Sequence, residues 1–455
     1  MRTMKSINPA DGSVIKEYNI YSSGEVESIL SKAQQTFIRY RRSDYSERKE
    51  KMMCVADELE NNSREYAEIM TLEMGKTFAS AVSEVEKCAW VCRYYAEHAQ
   101  SFLADEMVET EATKSKISYC PIGIVLAVMP WNYPFWQVFR FAAPALMAGN
   151  VCLLKHASNV PGSALAIQSI FGKGGFPKGA FSTLLISSDQ VASVIEDSRV
   201  KSVTLTGSGP AGSAVAAVAG KEIKKSVLEL GGSDAYIVLK DADITLAAEQ
   251  CYQSRILNAG QSCIGAKRFI IVDEIYDQWL SEFKSRMEAS LMGNPMQEVD
   301  LGPMAREDLR DEVHEQVVKS VENGAELLIG GFIPNQPGSY YPPTILADVS
   351  PGMPAYDEEI FGPVASVIRV KDEEEAIKVA NDTIYGLGAC VFTNDLARGE
   401  RIATEELEAG CCFVNQFVKS DPRLPFGGIK ASGYGRELSR FGIREFVNIK
   451  SVWIK

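Results

Sequence analysis

Histidine is nearly absent from this chain: His98, His156 and His314 are the only three in 455 residues. A histidine-based triad or metal cluster is therefore hard to assemble, which favours a carboxylate as the base for any nucleophile, although one histidine would suffice for a dyad. Positive charge is also short, with 47 Lys and Arg against 60 Asp and Glu and a formal net charge of -13. That balance argues against a nucleic-acid or anionic-membrane partner, either of which would want a basic face. No run reaches the roughly 18 uninterrupted apolar residues of a membrane span. The segment Met1–Ser6 leads into a polar Asn8-Pro9-Ala10-Asp11-Gly12 turn rather than an apolar leader. No nucleic-acid or membrane partner is expected, and the expected location is cytoplasmic. Paired Cys-x-x-Cys sets are missing as well, which removes zinc spacing, and no metal site is expected. Most of the ten cysteines read as reduced thiols packed like small hydrophobes. There is no internal repeat, low-complexity segment or long linker.

What remains is a chain with 46% apolar residues, enough for a large core divided over two or three domains. The first hundred residues read mostly helical, with Met52, Val55, Ala56, Leu59, Ile69, Met70 and Leu72 near helical spacing. Short apolar runs then alternate with helical stretches. Strands are expected at 122–128, 151–154, 203–206 and 226–230, with helical stretches at 144–149, 163–171 and 211–219. A second alternating region holds expected strands at 235–239, 269–272, 326–329, 365–370 and 389–393. Such alternation implies an α/β fold with parallel sheets covered on both faces. The Gly231-Gly232 pair is the natural hinge between two lobes. A last apolar strand at 447–454 must find an edge on this chain or a neighbour's, so it is a candidate oligomer contact.

Gly207-Ser208-Gly209-Pro210-Ala211-Gly212 follows an expected strand and opens an Ala-rich helix. It fits the GxGxxG pattern in its meaningful context, where the helix N-terminus attracts phosphate, although a tight strand–helix turn reads the same way. A dinucleotide fold also wants an acid about 20 residues on, to hold ribose. Glu229 stands there, yet a carboxylate closing an apolar strand also suits a general base. Cys263 follows Gly260 in a loop of small residues without nearby charge, and alone would read as a structural thiol. Asn132, between Trp131 and Tyr133-Pro134, alone would read as a turn residue. Together, a thiol, a carboxylate and a side-chain amide are the parts that attack a carbonyl, activate a water and hold an oxyanion.

The segments Met129-Pro130-Trp131-Asn132-Tyr133-Pro134, Leu228–Gly232, Asn258–Cys263, Glu358–Val364 and Leu424–Glu437 occur in that order along the chain. In this the chain resembles the NAD(P)-dependent aldehyde dehydrogenase superfamily over essentially its whole length. Within it, the Ser420–Gly428 segment is most similar to bacterial succinate-semialdehyde dehydrogenases. The resemblance implies two Rossmann-like parallel-sheet domains plus a small bridging β-element. The implied division is 1–104 and 121–230 for cofactor binding, 231–440 for catalysis, and 105–120 with 441–455 for bridging and oligomerisation. A homodimer or homotetramer is expected.

The resemblance also assigns roles. Cys263 becomes the nucleophile, Asn132 the oxyanion donor and Glu229 the catalytic carboxylate rather than the ribose ligand. Glu359 takes the ribose, Phe361 lies beside the nicotinamide, and Trp131, Gly207 and Ser208 line the cofactor path. Lys155 and Ser158 occupy the specificity positions. NAD-preferring members carry a glutamate where Ser158 stands, so NADP is expected over NAD. Arg140, eight residues after Asn132, matches an arginine that binds the substrate's distal carboxylate, although a structural ion pair would also explain it. Phe141 replaces a common Lys, and Leu257 stands where some relatives place a second carboxylate-binding arginine. Ser420, with Lys419 or Arg423, is expected to compensate. The small-molecule substrate implied is succinic semialdehyde. Glutarate semialdehyde or apolar aldehydes are the alternatives within the class. Outside it stand a cysteine-dependent esterase or acyl transferase and a non-catalytic nucleotide-binding protein.

Overall fold

The structure, a computed structural model, describes residues 2–455. Its centre is two parallel-dominated sheets. The first has six strands, in the spatial order Gly433–Tyr434, Lys225–Glu229, Val200–Thr206, Ile124–Met129, Val151–His156 and Phe181–Thr183. All pair in parallel except the two-residue edge strand Gly433–Tyr434, which runs antiparallel to Lys225–Glu229. Ile124–Met129 is buried along nearly its whole length, as expected of a strand covered on both faces. The second sheet has seven strands ordered Glu326–Ile329, Thr344–Ala347, Val364–Val370, Arg268–Val272, Ala235–Val238, Gly388–Phe392 and Cys411–Val414. Only the edge strand Glu326–Ile329 is antiparallel. A three-stranded antiparallel sheet of Val447–Ile454, Lys114–Pro121 and Glu106–Met107 stands apart from these two.

Helices cover both large sheets, giving an α/β architecture with two parallel-dominated sheets. Around the first sheet lie Ser23–Tyr40, Tyr45–Asn61, Ser63–Met74 and Phe78–Phe102. Phe78–Phe102 lies against the helix Trp136–Met147, whose twelve residues are all buried. That burial explains why the sequence reading found only part of this helix, the stretch around Pro144: a helix buried on every side has no solvent-facing polar stripe to mark its period. The reading of the first hundred residues as mostly helical missed the hairpin Thr3–Ile7/Val14–Asn19. Its second strand is almost entirely exposed and carries no alternation to read.

Gly231-Gly232 carries the chain from one large sheet to the other, but as a packed crossing rather than an open hinge. A Cβ on Gly231 would fall 2.1 Å from Glu359 Oε2, and one on Gly232 3.1 Å from the Cys263 carbonyl oxygen.

Candidate active site

Every loop that carries a sequence-derived site residue in the first sheet leaves the carboxyl end of a parallel strand. Ile124–Met129 releases Trp131 and Asn132, Val151–His156 releases Ser158, Val200–Thr206 releases Gly207 and Ser208, and Lys225–Glu229 ends on Glu229 itself. The register aligns these ends, with Met129 opposite His156 and Thr206 opposite Glu229. Ligands of open α/β sheets bind at that edge. Facing it are loops at the amino ends of strands in the second sheet: the one with Cys263 before Arg268–Val272, and the one with Glu359 and Phe361 before Val364–Val370.

The cysteine loop has an unusual backbone. Asn258, Ala259 and Gly260 have φ of 56°, 52° and 72°, three successive left-handed residues. Glycine is required at 260, because a Cβ there would lie 2.1 Å from the Gly362 carbonyl oxygen. Asn258 Nδ2 donates to the Asn132 carbonyl (2.8 Å) and the Gln261 carbonyl (3.1 Å), tying the two site loops together. The expectation of a loop without nearby charge is corrected here. Lys267 Nζ donates to the Ser262 and Cys263 carbonyls at 2.7 and 2.6 Å, and it pairs with Glu359 at 3.3 Å.

Cys263 lies where two cavities meet. One, of about 250 Å³, is lined by Trp131, Asn132, Gly207, Ser208, Glu359 and Phe361 among others. Trp131 and Phe361 frame it edge to face, 5.8 Å between ring centroids. The other, of about 180 Å³, is lined by Lys87, Trp136, Arg140, Phe417, Ser420 and Phe426 among others. Gln137 and Cys263 belong to both. Asn132 Oδ1 accepts from Gln137 Nε2 at 3.1 Å, so its amide NH₂ is oriented; one proton goes to the Gln261 carbonyl at 3.1 Å and the other is free. Burial pushes the Cys263 thiol up to about 12, against the opposing pull of Arg140 and Lys267. The resting site therefore holds a thiol.

Glu229 is 2% exposed and lines neither cavity. Both of its carboxyl oxygens lack a hydrogen-bond partner. Burial, and next the Glu437 carboxylate, push it well above the usual carboxylate range, while Arg140 works in the other direction. Arg140 ion-pairs with Glu437, the structural alternative left open for it, and also borders the second cavity. Arg423 is spent on Asp421 at 2.6 Å, and Lys419 lies exposed at the cavity's rim.

Lys155 and Ser158 line a third cavity of about 840 Å³. Lys155 makes no ion pair among the described residues, and burial lowers its pKa. Asn159 borders the same cavity with both side-chain polar atoms buried and unpartnered, a residue that sequence reasoning missed. Ser208 occupies the N-cap of the helix Gly209–Lys221 in extended conformation, with no side-chain cap bond of its own. Unpartnered donors and a free helix N-terminus are what a phosphate-bearing dinucleotide requires, so these residues fit one.

The geometry is matched by kinship. The model of the aldehyde dehydrogenase family matches residues 1–452. The chain belongs to the aldehyde dehydrogenase family. This aldehyde dehydrogenase is 50% identical over 450 residues to a probable succinate-semialdehyde dehydrogenase (NADP+) of Synechocystis sp., covering 99% of each chain. It is 49% identical over 454 residues to the succinate-semialdehyde dehydrogenase (NADP+) of Mycobacterium avium, covering 99% of this chain and 96% of that one. Its structure superposes on the succinic semialdehyde dehydrogenase of Streptococcus pyogenes, solved with NADP+ as the cofactor. The TM-score is 0.97 at 40% identity, with 99% of both chains covered.

Proposed function

We propose that this aldehyde dehydrogenase oxidises succinic semialdehyde to succinate with NADP+. The observation that carries the reading is Cys263 at the meeting point of two cavities, one bordered by Gly207, Ser208 and Glu359 and the other by Arg140 and Ser420. Kinship supports it, since the relatives named above are NADP+-dependent succinate-semialdehyde dehydrogenases.

Cys263 gives its proton to the ionised form of Glu229, which passes it to solvent before the hydrolytic step. The sulfur adds to the aldehyde carbon, forming a C–S bond as the carbonyl π bond opens. The oxygen of that carbonyl becomes an oxyanion, held by the free Asn132 Nδ2 proton and the Cys263 N–H. The Cys263 N–H donates to no other group among the described residues. When bound, the nicotinamide supplies the acceptor for the hydride lost from that carbon, which leaves a thioester on Cys263. Glu229 takes a proton from water, hydroxide adds to the thioester, the C–S bond breaks, and succinate departs. Glu229 must turn towards Cys263 to do this. The turn breaks no hydrogen bond, because its carboxyl group makes none.

Lys155, Ser158 and Asn159 are the residues that would receive a ribose 2′-phosphate, and no acid stands at 158 to repel it. We assign cofactor binding to 1–104 and 121–230 and catalysis to 231–440. Residues 105–120 and 441–455, which carry the three-stranded sheet, are assigned to self-association as a homodimer or homotetramer. No described helix is long and apolar enough to cross a membrane. We place the enzyme in the cytoplasm, where ten unpaired cysteines are at home.

The test is the initial rate of reduced-cofactor formation with succinic semialdehyde, run in parallel with NADP+ and NAD+. Turnover at least about tenfold more efficient with NADP+ is expected, the scale of one charge-assisted contact. Absence of turnover with both cofactors would overturn the substrate reading, and preference for NAD+ would overturn the role of Lys155 and Ser158.

A further inference from the structure

The cavity on the substrate side of Cys263 contains a charge that its walls do not balance. Three cations border it: Arg140 from the helix Trp136–Met147, Lys87 from the helix Phe78–Phe102, and Lys419, which lies exposed in solvent at the rim. Arg140 is neutralised by Glu437. Lys87 has no carboxylate within ion-pair reach among the described residues. Its Nζ donates to Ser420 Oγ at 2.9 Å and lies 4.3 Å over the Trp136 ring. The nearest acids are already engaged: Glu84 pairs with Lys76, and Asp421 pairs with Arg423. Much of the remaining wall is apolar, formed by Leu257, Ile264, Phe417 and Phe426.

A half-buried ammonium with one neutral acceptor and one aromatic face is under-solvated. Burial lowers the Lys87 pKa to about 8, and the Arg140 charge pushes the same way. An arriving anion relieves both effects. Ser420 completes the arrangement: its oxygen accepts from Lys87, so its own proton is directed elsewhere and can be donated to a carboxylate.

We propose that Lys87 is the cation that receives the substrate's distal carboxylate, with Ser420 as its hydrogen-bonding partner, and that it sets the enzyme's preference for ω-carboxylated over uncharged aldehydes. The assignment rests on the substrate reading above. It also supplies the second cation that Leu257 does not, from a helix far from Ser420 in sequence. A lysine held only by Trp136 and Ser420 for packing would look similar in the free protein, and kinetics separate the two.

The experiment compares steady-state kinetics of the wild type, Lys87→Met, Lys87→Gln and Lys87→Arg on succinic semialdehyde and on butyraldehyde, an uncharged four-carbon aldehyde. The readout is the ratio of the two kcat/KM values. Lys87→Met and Lys87→Gln are expected to lower that ratio roughly ten- to a hundredfold through KM for the carboxylated substrate, the scale of a lost charge-assisted bond. Lys87→Arg is expected to restore most of it. A wild type that does not prefer succinic semialdehyde to butyraldehyde overturns the substrate reading and this proposal with it. A wild type with that preference, and Lys87 variants that keep it, overturns the Lys87 assignment alone. Equal losses on both aldehydes in both neutral variants assign Lys87 to packing and also overturn it.

Discussion

Cys263 and Glu229 are both held against ionisation by burial, the thiol up to about 12 and the carboxyl well above its usual range. Each must ionise to act, so both limit the rate on the acid side. Lys87 acts on the opposite side, because its charge is lost as pH rises through about 8. The groups facing it are Arg140 across the cavity, Glu84 and Cys88 on its own helix, and Asp421 on the loop beyond Ser420. The account predicts that the ratio of kcat/KM for succinic semialdehyde to that for butyraldehyde is flat below pH 8 and falls above it. In Lys87→Arg the fall should vanish, because guanidinium does not titrate there. A ratio that stays flat well above pH 8 in the wild type would contradict this role. At this scale Cys263, Asn132 and Glu229 were singled out by their combination and by the family resemblance, since the local context of Cys263 or Asn132 alone reads as an ordinary buried thiol or turn residue. Lys87 and Gln137 were not readable. Each occupies an ordinary helical position, and their significance lies in contacts to Ser420 and Asn132 that only the tertiary fold creates.

The helix Trp136–Met147 directly follows the Asn132 loop, so its first turn helps fix the oxyanion donor. Glu84 Oε1 accepts from the backbone N–H groups of Phe135 and Trp136, both at 2.9 Å, placing a carboxylate at the helix's positive end. Glu84 is in turn ion-paired with fully buried Lys76, whose ammonium lies 4.1 Å over the Tyr133 ring. Removing one member of a buried pair leaves the other charged and unpaired, so Lys76→Met is expected to cost about 3–5 kcal/mol of stability. Denaturant unfolding measures this, and a loss below about 1 kcal/mol would mean the pair is not what secures the turn. Elements were legible where their apolar runs were continuous, as at 151–154 and 365–370. The strand expected at 447–454 coincides with the observed one. Strands such as Phe181–Thr183 and Cys411–Val414 escaped notice because three or four residues hold too little pattern to distinguish from a loop.

Across the whole molecule, chemistry occurs where the carboxyl ends of one parallel sheet meet the amino ends of the other. Neither sheet alone carries Asn132, Glu229 and Cys263 together. The strand Val447–Ile454 pairs along its length with Lys114–Pro121, while its other edge is open within the chain. Ile449, Trp453 and Ile454 are exposed on it. An open, apolar edge strand invites a second copy. Combining Ile449→Glu with Trp453→Glu should reduce the mass found by light scattering to that of one chain, and an unchanged mass would place the interface elsewhere. The central claim is that an acyl group from succinic semialdehyde passes through Cys263 and is released by Glu229. The most direct measurement is intact mass spectrometry of Glu229→Gln after mixing with succinic semialdehyde and NADP+. The account predicts one equivalent of NADPH and a stable succinyl group on Cys263, absent in Cys263→Ser. NADPH formed without any adduct, or continued turnover of Glu229→Gln at the wild-type rate, would contradict it.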